Sequence, residues 1–142
     1  MNADHMRTIV GVEPRGSDRL FLHWSDRTEA EVQLPTSFLN ALGDDFRAVR
    51  LGDWGHSIEW PNGTEIGADS LWLETLAATG RKDARDFLSW RLANGLSLSK
   101  TAEALGLSRR TVAYYSNGDR PVPKTVQLAC KGWDATNRCK AA

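Results

Sequence analysis

The stretch Leu98-Ser-Lys-Thr-Ala102-Glu-Ala-Leu-Gly106-Leu-Ser108-Arg-Arg-Thr-Val112-Ala-Tyr-Tyr115-Ser-Asn117 decides how this 142-residue chain is read. Two helices that cross steeply over a short turn make particular demands on sequence. Ala102 is small where the helices would approach, and Gly106 accepts the positive φ that the turn needs. Leu105, Leu107, Val112 and Tyr115 are apolar anchors on the two sides of that turn. Ser108 is placed to cap the second helix by accepting from an otherwise unpaired amide. The spacing predicts one helix to Leu105 with Ser99 as its cap, and another from Arg109 to Asn117 ended by Gly118.

Helical periodicity extends to both sides. Ala84, Phe87, Leu88 and Leu92 form one apolar stripe, which Asn94-Gly95 ends. Pro121 and Pro123 lead into a fourth helix on which Val126, Ala129, Cys130 and Trp133 repeat. Before Thr79-Gly80-Arg81-Lys82 the pattern differs. Arg7–Val12 and Arg19–Trp24 are β-rich runs separated by Pro14 and a Gly16-Ser17-Asp18 turn. Thr28–Leu34 alternates, with Ala30, Val32 and Leu34 on one face. A short helix is expected over Thr36–Leu42, closed by Gly43, and a strand over Phe46–Leu51. Pro61-Asn62-Gly63 predicts a hairpin between Ser57–Trp60 and Thr64–Ile66. A helix capped by Asp69 follows, and Trp24, Trp54, Trp60 and Trp72 read as core. The expected fold class is α+β: a small antiparallel-sheet domain over 1–79, then an all-α bundle over 80–142.

Charge divides the chain in the same place. Residues 1–80 carry 13 acidic against 6 basic side chains, net −7; residues 81–142 carry 12 basic against 5 acidic, net +7. A formal total of zero therefore hides a basic module suited to a polyanion. No apolar run is long enough for a membrane span and no signal peptide opens the chain, so a cytoplasmic protein without membrane contact is expected. Cys130 and Cys139 are widely spaced and no histidine follows His56, which argues against a zinc site. No phosphate-cradling glycine loop or nucleophile elbow is present, and no cofactor is expected. His23, His56, Glu59 and Glu65 are the residues an acid–base enzyme would have to use, and nothing groups them into a catalytic motif.

With Val112 and Tyr115 turned inward, helical spacing places Arg109, Arg110, Ala113, Tyr114 and Asn117 on one outer stripe. Guanidinium groups there suit guanine edges or phosphate, an amide suits a base, and a small residue permits close approach. Two cations in the first turn oppose the helix dipole unless a polyanion lies nearby. Ser108, Lys100, Arg120 and Lys124, near helix ends, are the candidate phosphate contacts. Tyr114 is expected to reach a thymine methyl or a phosphate.

The residues Ala102, Gly106 and Val112, with Leu105-Gly-Leu-Ser-Arg-Arg-Thr-Val112, Tyr115 and Asn117-Gly118, resemble the repressor-type helix-turn-helix family of phage and bacterial regulators, the Cro and cI type. The resemblance covers about residues 83–133. It implies a bundle of four or five helices whose third helix reads the major groove of double-stranded DNA, usually as a homodimer. Leu98 departs from the pattern, standing where many members carry a polar phosphate-contacting side chain. Residues 6–75, chiefly through Trp60-Pro-Asn-Gly63, are similar to a small uncharacterised bacterial α+β domain family. That likeness implies a fold and no activity. The alternatives are a purely structural helix pair, a solvated arginine face, and an antitoxin-like or adaptor protein whose acidic domain binds a protein partner.

Overall fold

In the computed structural model, residues 7–141 are described, with side chains through Arg138. The chain forms two compact units that divide between Gly80 and Arg81. An antiparallel sheet of β1 (Ile9–Arg15), β2 (Arg19–Trp24) and β3 (Glu29–Gln33) opens the first unit, with β2 central. The alternation expected of Thr28–Leu34 holds, with Ala30, Val32 and Leu34 buried; β2 alternates too, Leu20 pairing with Val32 as Leu22 does with Ala30. Pro14, read from sequence as a separator, lies inside β1 opposite Leu20. An edge strand tolerates it, because the missing N–H faces away from β2.

After α1 (Thr36–Leu42), Gly43 at φ 56° closes the helix. The strand expected over Phe46–Leu51 shrinks to β4 (Arg50–Leu51), because Gly43–Ala48 winds into a 3-10 turn. Only Phe46 of that run is buried, and its carbonyl oxygen accepts from Trp60 Nε1 at 2.9 Å. Without alternating burial a strand there gains little. β5 (Ser57–Glu59) and β6 (Glu65–Gly67) complete a second antiparallel sheet, β4-β5-β6, and the Asn62-Gly63 loop joins them as its sequence predicts. α2 (Ala68–Ala78) starts before Asp69, which stands in the first turn; Gly67 holds the cap position and Ala68 N–H donates to the His56 carbonyl. Leu71, Trp72, Thr75 and Leu76 are buried, and Trp24 Nε1 donates to Thr75 Oγ1 at 3.0 Å. Trp24 and Trp72 meet edge to face, with ring centres 4.7 Å apart.

Trp54 corrects the expectation of four core tryptophans. It is 89% exposed and adopts φ 59° at the apex of a tight turn. Gly55 beside it lies so close to the Ile9 backbone that a Cβ would not fit, so the turn's apex points its side chain outward.

The second unit is helical: α3 (Lys82–Ala93), α4 (Leu98–Leu105), α5 (Arg109–Asn117) and α6 (Lys124–Ala141). Its core gathers Phe87, Leu98, Ala102, Val112, Ala113, Val122, Val126 and Cys130, with Trp90, Leu105, Leu107 and Tyr115 packed around them. Two sequence expectations shift, one by two positions and the other by one. Ser97, not Ser99, caps α4, its Oγ accepting from Lys100 N–H at 3.1 Å. That start aligns Leu98, Thr101, Ala102 and Leu105 on a single stripe, three of them buried. On α3 the buried stripe is Ala84, Phe87, Leu88 and Arg91, whereas Leu92 is 42% exposed. Position i+7, not i+8, completes the stripe begun at Ala84.

Candidate functional site

α4 ends on Gly106 at φ 70° and ψ 34°, whose N–H donates to the Ala102 carbonyl; Leu107 N–H donates to the same oxygen at 2.9 Å. Satisfying this carbonyl inside a left-handed turn swings the chain sharply into α5. Ser108 Oγ then accepts from Thr111 N–H at 3.0 Å and donates to Thr111 Oγ1 at 2.9 Å. Gly118 at φ 75° closes α5. The expected limits of this helix, its cap and its terminating glycine all coincide with the structure.

The outer face is narrower than its sequence suggested. Arg109 and Arg110 are exposed and Tyr114 and Asn117 half-buried, but Ala113 is only 7% exposed and belongs to the core. α5 packs against both α3 and α4, so its buried arc spans Val112, Ala113 and Ser116 rather than a single line. Ala113 is therefore withdrawn from the candidate contact residues. Ser108, Lys100, Arg120 and Lys124 are exposed, the lysines on α4 and at the start of α6.

Buried polar groups, which hydrophobic patterning missed, fix α5 in place. Arg91 is buried on α3 and donates through Nε to Thr101 Oγ1 on α4, 3.2 Å, and through Nη1 to Ser116 Oγ on α5, 2.7 Å. Those hydroxyls in turn donate to the carbonyls of Ser97 and Val112. One guanidinium thus ties three helices together with charge-assisted bonds. Its sequence signal was its place on the Ala84-Phe87-Leu88 stripe.

A second arrangement joins α5 to the loop behind it. Arg110 Nε donates to the Tyr114 hydroxyl at 2.7 Å, and its guanidinium carbon lies 5.5 Å from the ring centre. Arg120 lies over the same ring at 4.1 Å. The loop carrying Arg120 is held from α3. Arg81 donates to the carbonyl oxygens of Gly118 and Arg120, and the Asp83 carboxylate accepts from Val122 N–H at 2.8 Å. Burial would raise the Asp83 pKa; the amides of Val122 and Ala84 and the charge of Arg81 more than offset this and leave it lowered. Among the described residues, Arg110, Arg120, Lys100 and Lys124 form no ion pair with a carboxylate.

No three His, Cys, Asp or Glu side chains gather into a metal-ion cluster among the described residues. Cys130 is buried in the core, and burial, with Asp134 adding to it, pushes its pKa up to about 11, so it stays a thiol. The side chain of Cys139 lies outside the described residues. No described helix is long and apolar enough to cross a membrane.

No family model and no curated protein matches the chain. A solved structure does: the "Putative DNA Binding Protein NE0471" of Nitrosomonas europaea, 34% identical, with a TM-score of 0.67, covering 96% of this chain and 92% of its own. At that identity, over nearly the full length of both, the chain belongs to the same family as the Nitrosomonas europaea protein.

Proposed function

We propose that this protein binds double-stranded DNA as a repressor-type helix-turn-helix regulator, placing α5 in the major groove. The observation that carries the reading is α5 itself. Ser108 caps it, Arg91 and Val112 hold its inner side, and Arg109 and Arg110 stand exposed at its start on a unit of net charge +7. Cations at the positive end of a helix dipole become favourable when a phosphate chain lies against them. Asn117 lies about two helical turns beyond Arg110 on the same face, and on this reading its amide meets a base edge. The name of the Nitrosomonas europaea relative supports the same polyanion. A single α5 buries little surface, so specific binding calls for a homodimer with its two recognition helices about 34 Å apart.

The test is a salt series of duplex binding by the full chain, wild type against Arg109→Ala/Arg110→Ala. Wild-type affinity is expected to fall steeply with salt, and the double variant to lose about 0.9 from the log–log slope for each phosphate contact removed. An unchanged slope with lost site preference would put the arginines on bases instead. No duplex binding at low salt would overturn the reading.

A second reading has one observation in its favour: Trp54 is 89% exposed on a unit of net charge −7. An exposed tryptophan on an acidic stretch of chain suits a basic protein partner, as an antitoxin-like or adaptor role requires. Stoichiometric co-purification of a protein, lost on Trp54→Ala, would favour it.

A further inference from the structure

We propose that Arg110 and Arg120 form one preformed clamp for a single DNA phosphate, with Tyr114 as the positioning residue that holds both arginines. The inference rests on the DNA-binding reading and assigns a role within it. Sequence placed Tyr114 against the nucleic acid; the structure engages it with the protein's own cations. Both guanidinium carbons lie within 5.5 Å of one ring centre, so the two charges are closer together than the Debye length of about 10 Å at 0.1 M salt. They repel each other, and a monoanion held between them removes that repulsion.

The donors needed for such an anion remain. Arg110 uses its Nε hydrogen on the Tyr114 hydroxyl, which leaves its terminal NH2 groups for a phosphate oxygen. Arg120 places its guanidinium carbon over the ring, 4.1 Å from the centre, so its contact with Tyr114 is made with the π face.

Preorganisation is the second line of support. The backbone that carries Arg120 is pinned residue by residue: Asp119 N–H donates to the Tyr114 carbonyl, Arg81 holds the carbonyls of Gly118 and Arg120, and Asp83 holds Val122 N–H. Pro121 and Pro123 restrict the backbone further. An exposed arginine ordinarily loses rotamer freedom when it grips a phosphate; stacking has removed part of that loss beforehand.

Binding of a labelled random-sequence duplex by the full chain, measured across salt concentrations, tests the clamp. One shared phosphate predicts that Arg110→Ala/Arg120→Ala lowers the slope by about 0.9 in total, whereas separate phosphates predict about 1.8. Tyr114→Ala removes no charge, yet is expected to weaken binding roughly fivefold or more, because both arginines lose their support. Tyr114→Phe keeps the ring under Arg120 and should recover most of that loss. Arg120→Lys keeps the charge and loses the guanidinium's contact with the ring, so the slope should hold while affinity falls. Thermal unfolding of each variant separates these effects from misfolding, and the two conservative variants keep the test open should Tyr114→Ala unfold. A double-variant slope loss near 1.8, an unchanged slope, or wild-type affinity in Tyr114→Ala overturns the clamp while leaving DNA binding intact. Failure of the wild-type chain to bind duplex overturns both.

Discussion

Arg91 is the residue on which the geometry of α5 turns. A buried guanidinium is costly to desolvate, and here its neighbours are hydroxyls on the two helices it must align, Thr101 and Ser116. Removing an acceptor takes one hydrogen bond from a buried charged group, and such bonds are worth more than those between neutral groups. Ser116→Ala is therefore expected to destabilise the chain by about 1–3 kcal/mol in denaturant unfolding. Ser116 is 1% exposed, so this loss should come without a change in the salt slope of DNA binding. A slope change would mean that Ser116 reaches the ligand side. The surface cations obey the opposite logic. Arg110 and Arg120 stay solvated and cost little, and their arrangement on Tyr114 is what makes them more than a charged surface.

At the scale of elements, the turn from α4 to α5 is governed by backbone conformation and not by packing. Gly106 sits at φ 70°, and a Cβ placed there would meet nothing within 4 Å. Gly106→Ala thus isolates the left-handed penalty and is expected to cost about 1–2 kcal/mol, with Gly106→Asn costing less. Thermal unfolding of the two variants checks this order; equal stability of Ala and Gly at position 106 would mean that the turn relaxes. Helix caps were legible for the same local reason. Ser108 and Gly118 bound α5 where their chemistry says they should. The cap of α4 was not, since Ser97 and Ser99 are locally equivalent. Burial of Leu98 chooses between them, by making Ser97 the residue that precedes the buried stripe.

At the scale of the whole molecule, residues 1–80 and 81–142 carry opposite charge, −7 and +7, in a chain matched by its relative along nearly all its length. On the DNA-binding reading, the charge that would meet a polyanion is confined to residues 81–142, at net +7. The homodimer we propose has a direct consequence in solution. Sedimentation velocity of the full chain is expected to give twice the 15.7 kDa chain mass, either free or on DNA with two half-sites. A monomer under both conditions removes the dimer from the reading and leaves single-site DNA binding.

What sequence determined by itself was whatever depends on near neighbours along the chain. The alternation in β3, the Asn62-Gly63 hairpin, the capped limits of α5 and the division of charge at Gly80 all rest on periods, turn chemistry and counting. Tertiary structure decided whatever depends on a second element arriving from elsewhere. Contact with both α3 and α4 turned Ala113 inward, a carbonyl bonded to Trp60 took Phe46 out of a strand, and a glycine pressed on β1 exposed Trp54. The meeting of Arg110, Tyr114 and Arg120 depends on a loop tied down by Arg81 and Asp83, 39 residues before Arg120 and Val122 respectively. Side-chain periodicity reports which way a residue points on its own element; it carries no information about how many neighbours will pack there, and that number sets the final arc of burial.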